Sequence, residues 1–87
     1  MKIYIEPHTL ERAEERGTTE NEIIDVIENG INIPAKYNRF GKYKVFDFGC
    51  ERNGKFYEHK KVEVYYIIEN DRIITITVYV FYGKWKD

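Results

Sequence analysis

The order of polar and apolar positions divides the chain into a helical segment and a longer strand-rich segment. Residues 7–17 carry the first helix signals: Pro7 suits a first helical turn, and Gly17 suits the left-handed position after a last turn. Leu10 and Ala13 are the only apolar residues between them. This helix therefore has little surface to bury, and most of it is expected to face water, another element or a ligand.

A second helix is predicted over residues 20–29. Thr19 and Glu22 stand at the two positions of a capping box, and a broad apolar face follows them. Gly30 then marks the end of the helix. We expect the two helices to form a helical hairpin joined by one tight turn.

From residue 31 onward the sequence is rich in the β-branched and aromatic residues that favour strands. Asn-Gly at 53–54 and Asn-Asp at 70–71 predict two hairpin turns. Together they give a three-stranded antiparallel β-meander, with a fourth strand if residues 31–41 supply one. The predicted fold class is α+β, with an N-terminal helical hairpin packed on a three- to four-stranded antiparallel β-meander, in a single domain of residues 1–87.

Uninterrupted pairing from both turns sorts the strand side chains into two faces. The face predicted to lie beneath the helices holds Phe46, Phe48, Tyr65, Ile67, Ile74, Ile76, Val78 and Val80. The opposite face holds Tyr43, Val45, Val62, Val64, Tyr66, Ile68, Ile73, Thr75, Thr77, Tyr79 and Phe81. This second face is too apolar for an ordinary solvated surface, so we expect another chain or a ligand to cover it.

Composition narrows the class of protein. The chain has 87 residues, of which 43% are hydrophobic and 33% charged, as expected for one small globular domain. No apolar run approaches the ~18 residues of a membrane span. The single cysteine, Cys50, cannot form an internal disulfide. We therefore expect a cytoplasmic protein without membrane contact, and the absence of serine excludes a serine nucleophile.

The net charge of −1 hides an asymmetry along the chain. Residues 1–30 contain three Lys/Arg against eight Asp/Glu, a net charge of −5. Residues 31–87 contain eleven against seven, a net charge of +4. A field that attracts nucleic acid over the whole surface is thus absent, and any such binding depends on a local patch.

His8, Arg12 and Arg16 recur at four-residue spacing in the first predicted helix. On a helix this spacing places them in one stripe. Two guanidinium groups can hold a phosphate, and an imidazole beside them can move a proton. The alternative is structural, because helical arginines commonly pair with glutamates close in sequence and His8 can be a capping or surface group.

Cations alternate with aromatic rings along the predicted strands. The cations include Arg39, Lys42, Lys44, Arg52, Lys55, Lys60 and Lys61, and the rings include Tyr37, Phe40, Tyr43, Phe56 and Tyr57. Cations neutralise phosphates and rings stack on bases, so Lys44, His59 and Lys60 are candidate RNA-binding residues. Residues 82–87 have the same basic and aromatic character. Lysines that protect an exposed strand from edge pairing would give a similar pattern.

No metal or cofactor is predicted. Cys50 and His59, even together with His8, do not complete a zinc ligand set with the usual spacing. The glycines form neither a GxGxxG nor a Walker pattern, so no nucleotide cofactor is indicated.

Two segments carry a resemblance to a known family. The first, from His8 to Ile23, contains an H-x3-R-x3-R-G motif, and the second runs from Tyr65 to Tyr79. With these segments the chain resembles the domain-of-unknown-function family 4258, which is distantly similar to the RelE and BrnT toxins. Those compact two-helix-plus-sheet proteins cleave RNA without metal and are neutralised by an antitoxin. The resemblance implies an RNA substrate and an antitoxin-like partner.

The leading prediction is a toxin-like, metal-independent RNA endonuclease of the type II toxin-antitoxin kind. In it a ribose 2′-hydroxyl attacks the adjacent phosphate. His8 is the predicted base or acid, Arg12 and Arg16 are the phosphate clamp, and Tyr79 or His59 is the second proton group.

The alternative is a non-catalytic interaction module. It dimerises, or binds a partner protein, through the exposed Thr/Tyr/Val sheet face that includes Tyr66, Thr75 and Thr77. This interpretation predicts a homodimer.

Overall fold

The structure is a computed structural model that describes residues 1–85. Lys86 and Asp87, which belong to the basic and aromatic C-terminal segment, lie outside the described residues. The helices are α1 (Pro7–Arg16) and α2 (Glu20–Asn29). The strands are β1 (Lys2–Tyr4), β2 (Ile31–Ile33), β3 (Phe40–Arg52), β4 (Lys55–Glu69) and β5 (Arg72–Gly83).

The strands form one sheet in the order β1-β5-β4-β3-β2. β3, β4 and β5 form the antiparallel meander, and β2 pairs antiparallel with the start of β3. β1 pairs in parallel with residues 72–74 of β5. The α+β class is therefore confirmed, but the sheet is mixed and five-stranded, because the short alternating segment at the N-terminus adds a parallel edge.

Local signals account for the helix boundaries. Gly17 adopts φ 92°, the left-handed conformation that ends α1, and Thr19 Oγ1 accepts a hydrogen bond from the Glu22 N–H at the start of α2. In contrast to the left-handed Gly17, Gly30 has an extended backbone, and it ends α2 as expected. A Cβ there would collide with the main-chain oxygens of Val26 and Tyr43, so close approach to β3 is what requires glycine.

Each helix packs mainly on the sheet. α1 contacts β5, and α2 contacts β4 and β3. The two helices are joined by a short turn as predicted, but neither uses the other as its main packing partner. Below them lies the buried core of Ala13, Ile23, Val26, Ile27, Val62, Val64, Tyr66 and Val78.

Two β-bulges set which strand residues face the helices. In β3 the pairing shifts between Asp47 and Cys50. Uninterrupted pairing from the turn at 53–54 would place Phe46 opposite Lys61, whereas in the structure it lies opposite Lys60. In β5 the pairing changes around Ile76, which is left without a partner in the ladder. Each bulge shifts the register by one residue, and a one-residue shift moves every following side chain to the other face.

The predicted faces were therefore wrong for part of the sheet. Phe46, Phe48, Val78 and Val80 do lie on the helix side, as expected. The residues wrongly assigned to the core are Tyr65, Ile67 and Ile74, and those wrongly assigned to the uncovered face are Val62, Val64, Tyr66, Ile68, Ile73 and Thr75.

Within residues 1–85, neither helix has the length and apolarity needed to cross a membrane.

Candidate functional site

The sheet face turned away from both helices, here called the open face, is the candidate site. Side chains alternate between the two faces of a strand, and residues paired across strands share a face. The open face consequently holds Tyr43, Val45, Lys61, Glu63, Tyr65, Ile67, Ile74, Thr77, Tyr79 and Phe81. Neither helix packs across this side: α1 and α2 pack on the opposite face, and only Arg16, at the end of α1, reaches the edge of the open face.

A row of three polar side chains runs along β4 in the middle of the open face. The Lys61 ammonium lies 3.2 Å from one Glu63 oxygen, and the Tyr65 hydroxyl donates to the other at 3.1 Å. The Glu63 side chain is only 15% exposed. Burial, followed by the hydrogen bond to Glu63, raises the pKa of Tyr65. The phenol therefore stays protonated at neutral pH and can act as a proton donor.

Aromatic rings border this row. The Lys61 ammonium lies 4.7 Å from the centre of the Tyr43 ring, a cation–π contact. On the other side the Tyr65 and Tyr79 rings meet edge to face, 6.0 Å apart, and Phe81 stacks on Tyr79 at 6.5 Å. Tyr79 is 41% exposed, so its hydroxyl-bearing ring is accessible from solvent.

Arg16 reaches the open face around the edge of the sheet. Since β1 pairs only with residues 72–74, the outer edge of β5 is not covered by a strand beyond that point. Arg16 Nη1 donates to the Val78 carbonyl oxygen at 2.6 Å, and its guanidinium lies 4.9 Å from the Tyr79 ring centre. Two of the four predicted catalytic residues, Arg16 and Tyr79, are therefore in contact.

The other two predicted catalytic residues lie elsewhere on α1. Residues spaced by four on an α-helix advance by about 40° beyond a full turn, so the stripe rotates by roughly 80° from its first member to its last. Thr9 and Ala13 face the sheet, whereas His8 is exposed on the flank. Arg12 Nη1 bonds to the carboxylate of Glu15 at 2.6 Å. His8 and Arg12 thus do not join Arg16 at the open face.

Two predicted RNA-binding lysines connect the helices to the sheet. Lys44 Nζ bonds to Asp25 at 2.6 Å, and this bond is the main cause of the lowered pKa of Asp25. Lys60 is 8% exposed, and its ammonium donates to the Gly17 carbonyl at 2.8 Å and to Glu22 at 2.7 Å. Both ammonium groups are occupied on the helix side, away from the open face.

The predicted Thr/Tyr/Val interaction surface included Tyr66, Thr75 and Thr77, and the prediction was wrong for the first two. Tyr66 is buried and stacks on Phe40. Thr75 is buried as well: its hydroxyl donates to Thr9 Oγ1 at 2.9 Å and accepts from the Glu6 N–H. The bulge at residue 76 explains both errors, and Thr77, beyond that bulge, does lie on the open face.

His59 fixes the C-terminal end of the described chain. Its Nδ1 accepts a hydrogen bond from the Trp85 N–H at 3.2 Å, and its Nε2 lies 3.7 Å from Asp47. Trp85 lines a cavity of about 360 Å³ together with Tyr43 and Val45 of the open face. His59 therefore acts here as an acceptor that orders the segment after β5.

A second cavity, here called the loop cleft, opens where the β2–β3 loop passes over the open face. Its volume is about 430 Å³. Lys36, Tyr37 and Arg39 line it from the loop, and Tyr65, Thr77 and Tyr79 line it from the sheet. The cleft therefore adjoins the polar row through Tyr65.

Glu63, Tyr65 and Lys36 are candidate residues that the sequence interpretation did not single out. The spacing Lys61-x-Glu63-x-Tyr65 places the three polar groups of the row on one face of any strand, and this alternation was the available signal. It was overlooked because the uninterrupted register turned Tyr65 toward the core.

The open face offers a carboxylate, phenol hydroxyls, an ammonium and a guanidinium within one region. These groups can accept a proton, donate one and stabilise an anion. Within residues 1–85, no group of three or more His, Cys, Asp or Glu side chains is placed to hold a metal ion. No protein-family model, curated protein or solved structure matches the chain.

Proposed function

We propose that this protein is a metal-independent RNA endonuclease whose reaction surface is the open face. The observation that carries the proposal is the position of Glu63 between Lys61 and Tyr65 on the side of the sheet that no described helix covers. The resemblance of two sequence segments to family 4258, and through it to the RelE and BrnT toxins, supports the same reaction class. In this proposal the two helices on an antiparallel meander correspond to the compact fold of those toxins.

The proposed chemistry is an attack of a ribose 2′-oxygen on the adjacent phosphorus. Glu63 accepts the proton of the 2′-hydroxyl as the new O–P bond forms. Lys61 stabilises the charge that develops on the phosphate oxygens, which is usually the largest contribution to such catalysis. Tyr79 donates a proton to the departing 5′-oxygen as the old O–P bond breaks. The products are a 2′,3′-cyclic phosphate and a 5′-hydroxyl.

Arg16 is a positioning residue in this scheme. Its guanidinium contacts the ring face of Tyr79 while one of its N–H groups is held by the Val78 carbonyl. It therefore fixes the direction of the Tyr79 ring and leaves other N–H groups for a phosphate.

The reaction is tested by incubating the purified protein with single-stranded RNA in EDTA. We expect cleavage, with cyclic phosphate ends identified by mass spectrometry. RNA with 2′-deoxyribose at the cleaved position should be resistant, because it lacks the attacking hydroxyl. Lys61→Met should lower the rate by roughly 100-fold, whereas Lys55→Met, at an exposed position near the hairpin turn, should not change it. Intact RNA at stoichiometric protein would contradict the proposal.

Partner binding through the open face is the second candidate function. Phe81 and Ile31, which lies opposite Tyr43 in the sheet, are 46% and 60% exposed, so this side presents apolar surface. The proposed occupant is a second copy of the chain, or an antitoxin-like protein in the toxin interpretation. Light scattering should then show a homodimer that Phe81→Asp dissociates and Phe56→Asp, at an exposed ring near the hairpin turn, does not. A monomer at high concentration would contradict self-association.

A further inference from the structure

We propose that the loop cleft is a subsite for one unpaired nucleotide of single-stranded RNA. This inference rests on the proposed function only in taking RNA as the substrate. It adds a second place of contact, which adjoins the polar row at Tyr65, and a requirement that the bound strand be unpaired.

The backbone of the loop holds one aromatic side chain outward. Tyr37 and Asn38 adopt φ 58° and 60°, and the Arg39 N–H donates to the Lys36 carbonyl at 3.2 Å, which closes a tight turn. A left-handed conformation is costly for tyrosine, because its Cβ crowds the neighbouring carbonyl. Tyr37 is nevertheless 86% exposed, so burial within the described chain does not compensate this strain. Such uncompensated strain is typical of positions that serve a ligand.

The charges around the cleft favour an anion. Lys36 and Arg39 line it, and none of its lining residues is acidic. Neither cation forms an ion pair with a carboxylate of residues 1–85. Both remain available for phosphate, and the planar guanidinium can bind two phosphate oxygens at once.

The size and the rings favour a nucleotide over a simple anion. A volume of about 430 Å³ lies in the range of small-molecule sites. Tyr37 provides an exposed aromatic surface on the loop side of the cleft, Tyr79 lines the sheet side, and Thr77 adds a hydroxyl that can bond to a base edge. A base can stack in the cleft only when it is unpaired, because a paired base is already stacked inside the RNA double helix. Duplex RNA should therefore bind poorly.

The test uses a fluorescein-labelled RNA of about 12 nucleotides with 2′-O-methyl groups throughout, measured by fluorescence anisotropy with the full chain. Methylation blocks the attacking hydroxyl, so binding is measured whether or not the protein is a nuclease. We expect the single strand to bind more tightly than the same strand in a duplex. Tyr37→Ala should weaken binding by roughly 10-fold. The matched control Phe56→Ala removes an exposed ring at the opposite end of β3 and β4 and should have no effect.

The salt dependence separates the phosphate contacts from stacking. The double variant Lys36→Met and Arg39→Met should reduce the slope of log affinity against log salt by about 1.4, the value for two phosphate contacts to a single strand. Tyr37→Ala should leave that slope unchanged.

Equal affinity for single strand and duplex, or wild-type affinity in Tyr37→Ala, would overturn the subsite. Absence of oligonucleotide binding together with a concentration-dependent dimer would assign the cleft to protein contact and would also overturn it. If wild type cleaves ordinary RNA and Tyr37→Ala binds RNA as tightly as wild type, the subsite is refuted and the endonuclease proposal stands. If RNA binding depends on Tyr37 but no RNA is cleaved, the endonuclease proposal is refuted and the subsite stands.

Discussion

Replacing Glu22 with leucine is expected to destabilise the fold by about 3 kcal/mol, because the change leaves the Lys60 ammonium without a carboxylate. Lys60 is almost fully buried, and Glu22 and the Gly17 carbonyl are its two hydrogen-bond partners among the described residues. Removing one member of a buried ion pair typically costs about 3–5 kcal/mol. The lower end applies here because the Glu22 side chain is 25% exposed, which admits some water to the site.

The reverse change, Lys60→Met, should cost less, about 1–2 kcal/mol. Glu22 then keeps the hydrogen bond from the Thr18 hydroxyl, at 2.9 Å, and its access to water. The double variant of Glu22→Leu and Lys60→Met removes both charges and should lie within about 1 kcal/mol of wild type. The predicted coupling between the two positions is therefore at least about 3 kcal/mol.

Thermal and urea unfolding followed by circular dichroism measure this cycle. For a domain of this size 1 kcal/mol corresponds to roughly 4–8 °C in Tm, so Glu22→Leu should lower Tm by roughly 12–24 °C. Glu22→Gln, which keeps an acceptor oxygen, serves as a milder variant if the leucine variant does not fold. Additive single effects, with a coupling below about 0.5 kcal/mol, would refute the reasoning. Under the proposed function, the double variant should cleave RNA at the wild-type rate, because Lys60 lies on the helix side.

Three further predictions concern stability. Gly17→Ala should cost roughly 1–3 kcal/mol in urea unfolding, because alanine disfavours φ 92° and its Cβ would collide with the Tyr82 hydroxyl; wild-type stability would contradict this. The lowered pKa of Asp25 means that its bond to Lys44 stabilises the fold above the ordinary value of 3.8 and loses that contribution as pH falls; Lys44→Met should flatten this acid dependence. The raised pKa of Tyr65 means that the fold loses stability as pH rises above 10.0, and Tyr65→Phe should reduce that loss in alkaline unfolding.

Local signals in the sequence were sufficient for most elements. Pro7, Gly17 and the Thr19 cap act within a few residues, so both helices occur over residues 7–16 and 20–29. The Asn-Gly and Asn-Asp turns likewise place Arg52 opposite Lys55 and Glu69 opposite Arg72, as expected. The parallel pairing of β1 depends on a strand distant in sequence, and no local pattern specifies it.

The site was harder to predict, because it depends on the register of the strands. Gly49 and Ile76 lie at the two bulges, and each bulge reverses the faces of the residues beyond it. An isolated glycine inside a strand often marks a bulge, and Gly49 adopts φ 58°, whereas Ile76 carries no such signal. The His8 stripe illustrates a different limit. Residues spaced by four do not lie directly above one another on a helix. The resulting rotation places Arg16 at the sheet edge and leaves His8 exposed to solvent. Packing, and not the spacing, decides which guanidinium pairs with a glutamate and which with a carbonyl oxygen.

The most direct measurement is the single-turnover rate of RNA cleavage in EDTA for Glu63→Gln and His8→Ala, side by side with wild type. If Glu63 is the base on the open face, the glutamine variant should lose at least about 100-fold in rate, while the alanine variant stays close to wild type. In urea unfolding, both variants should have a free energy of unfolding within about 1 kcal/mol of wild type. A lost cleavage rate then reflects the chemistry and not the stability of the fold. Full activity in Glu63→Gln, or loss of activity in His8→Ala alone, would contradict the account and return the reaction to the helical stripe.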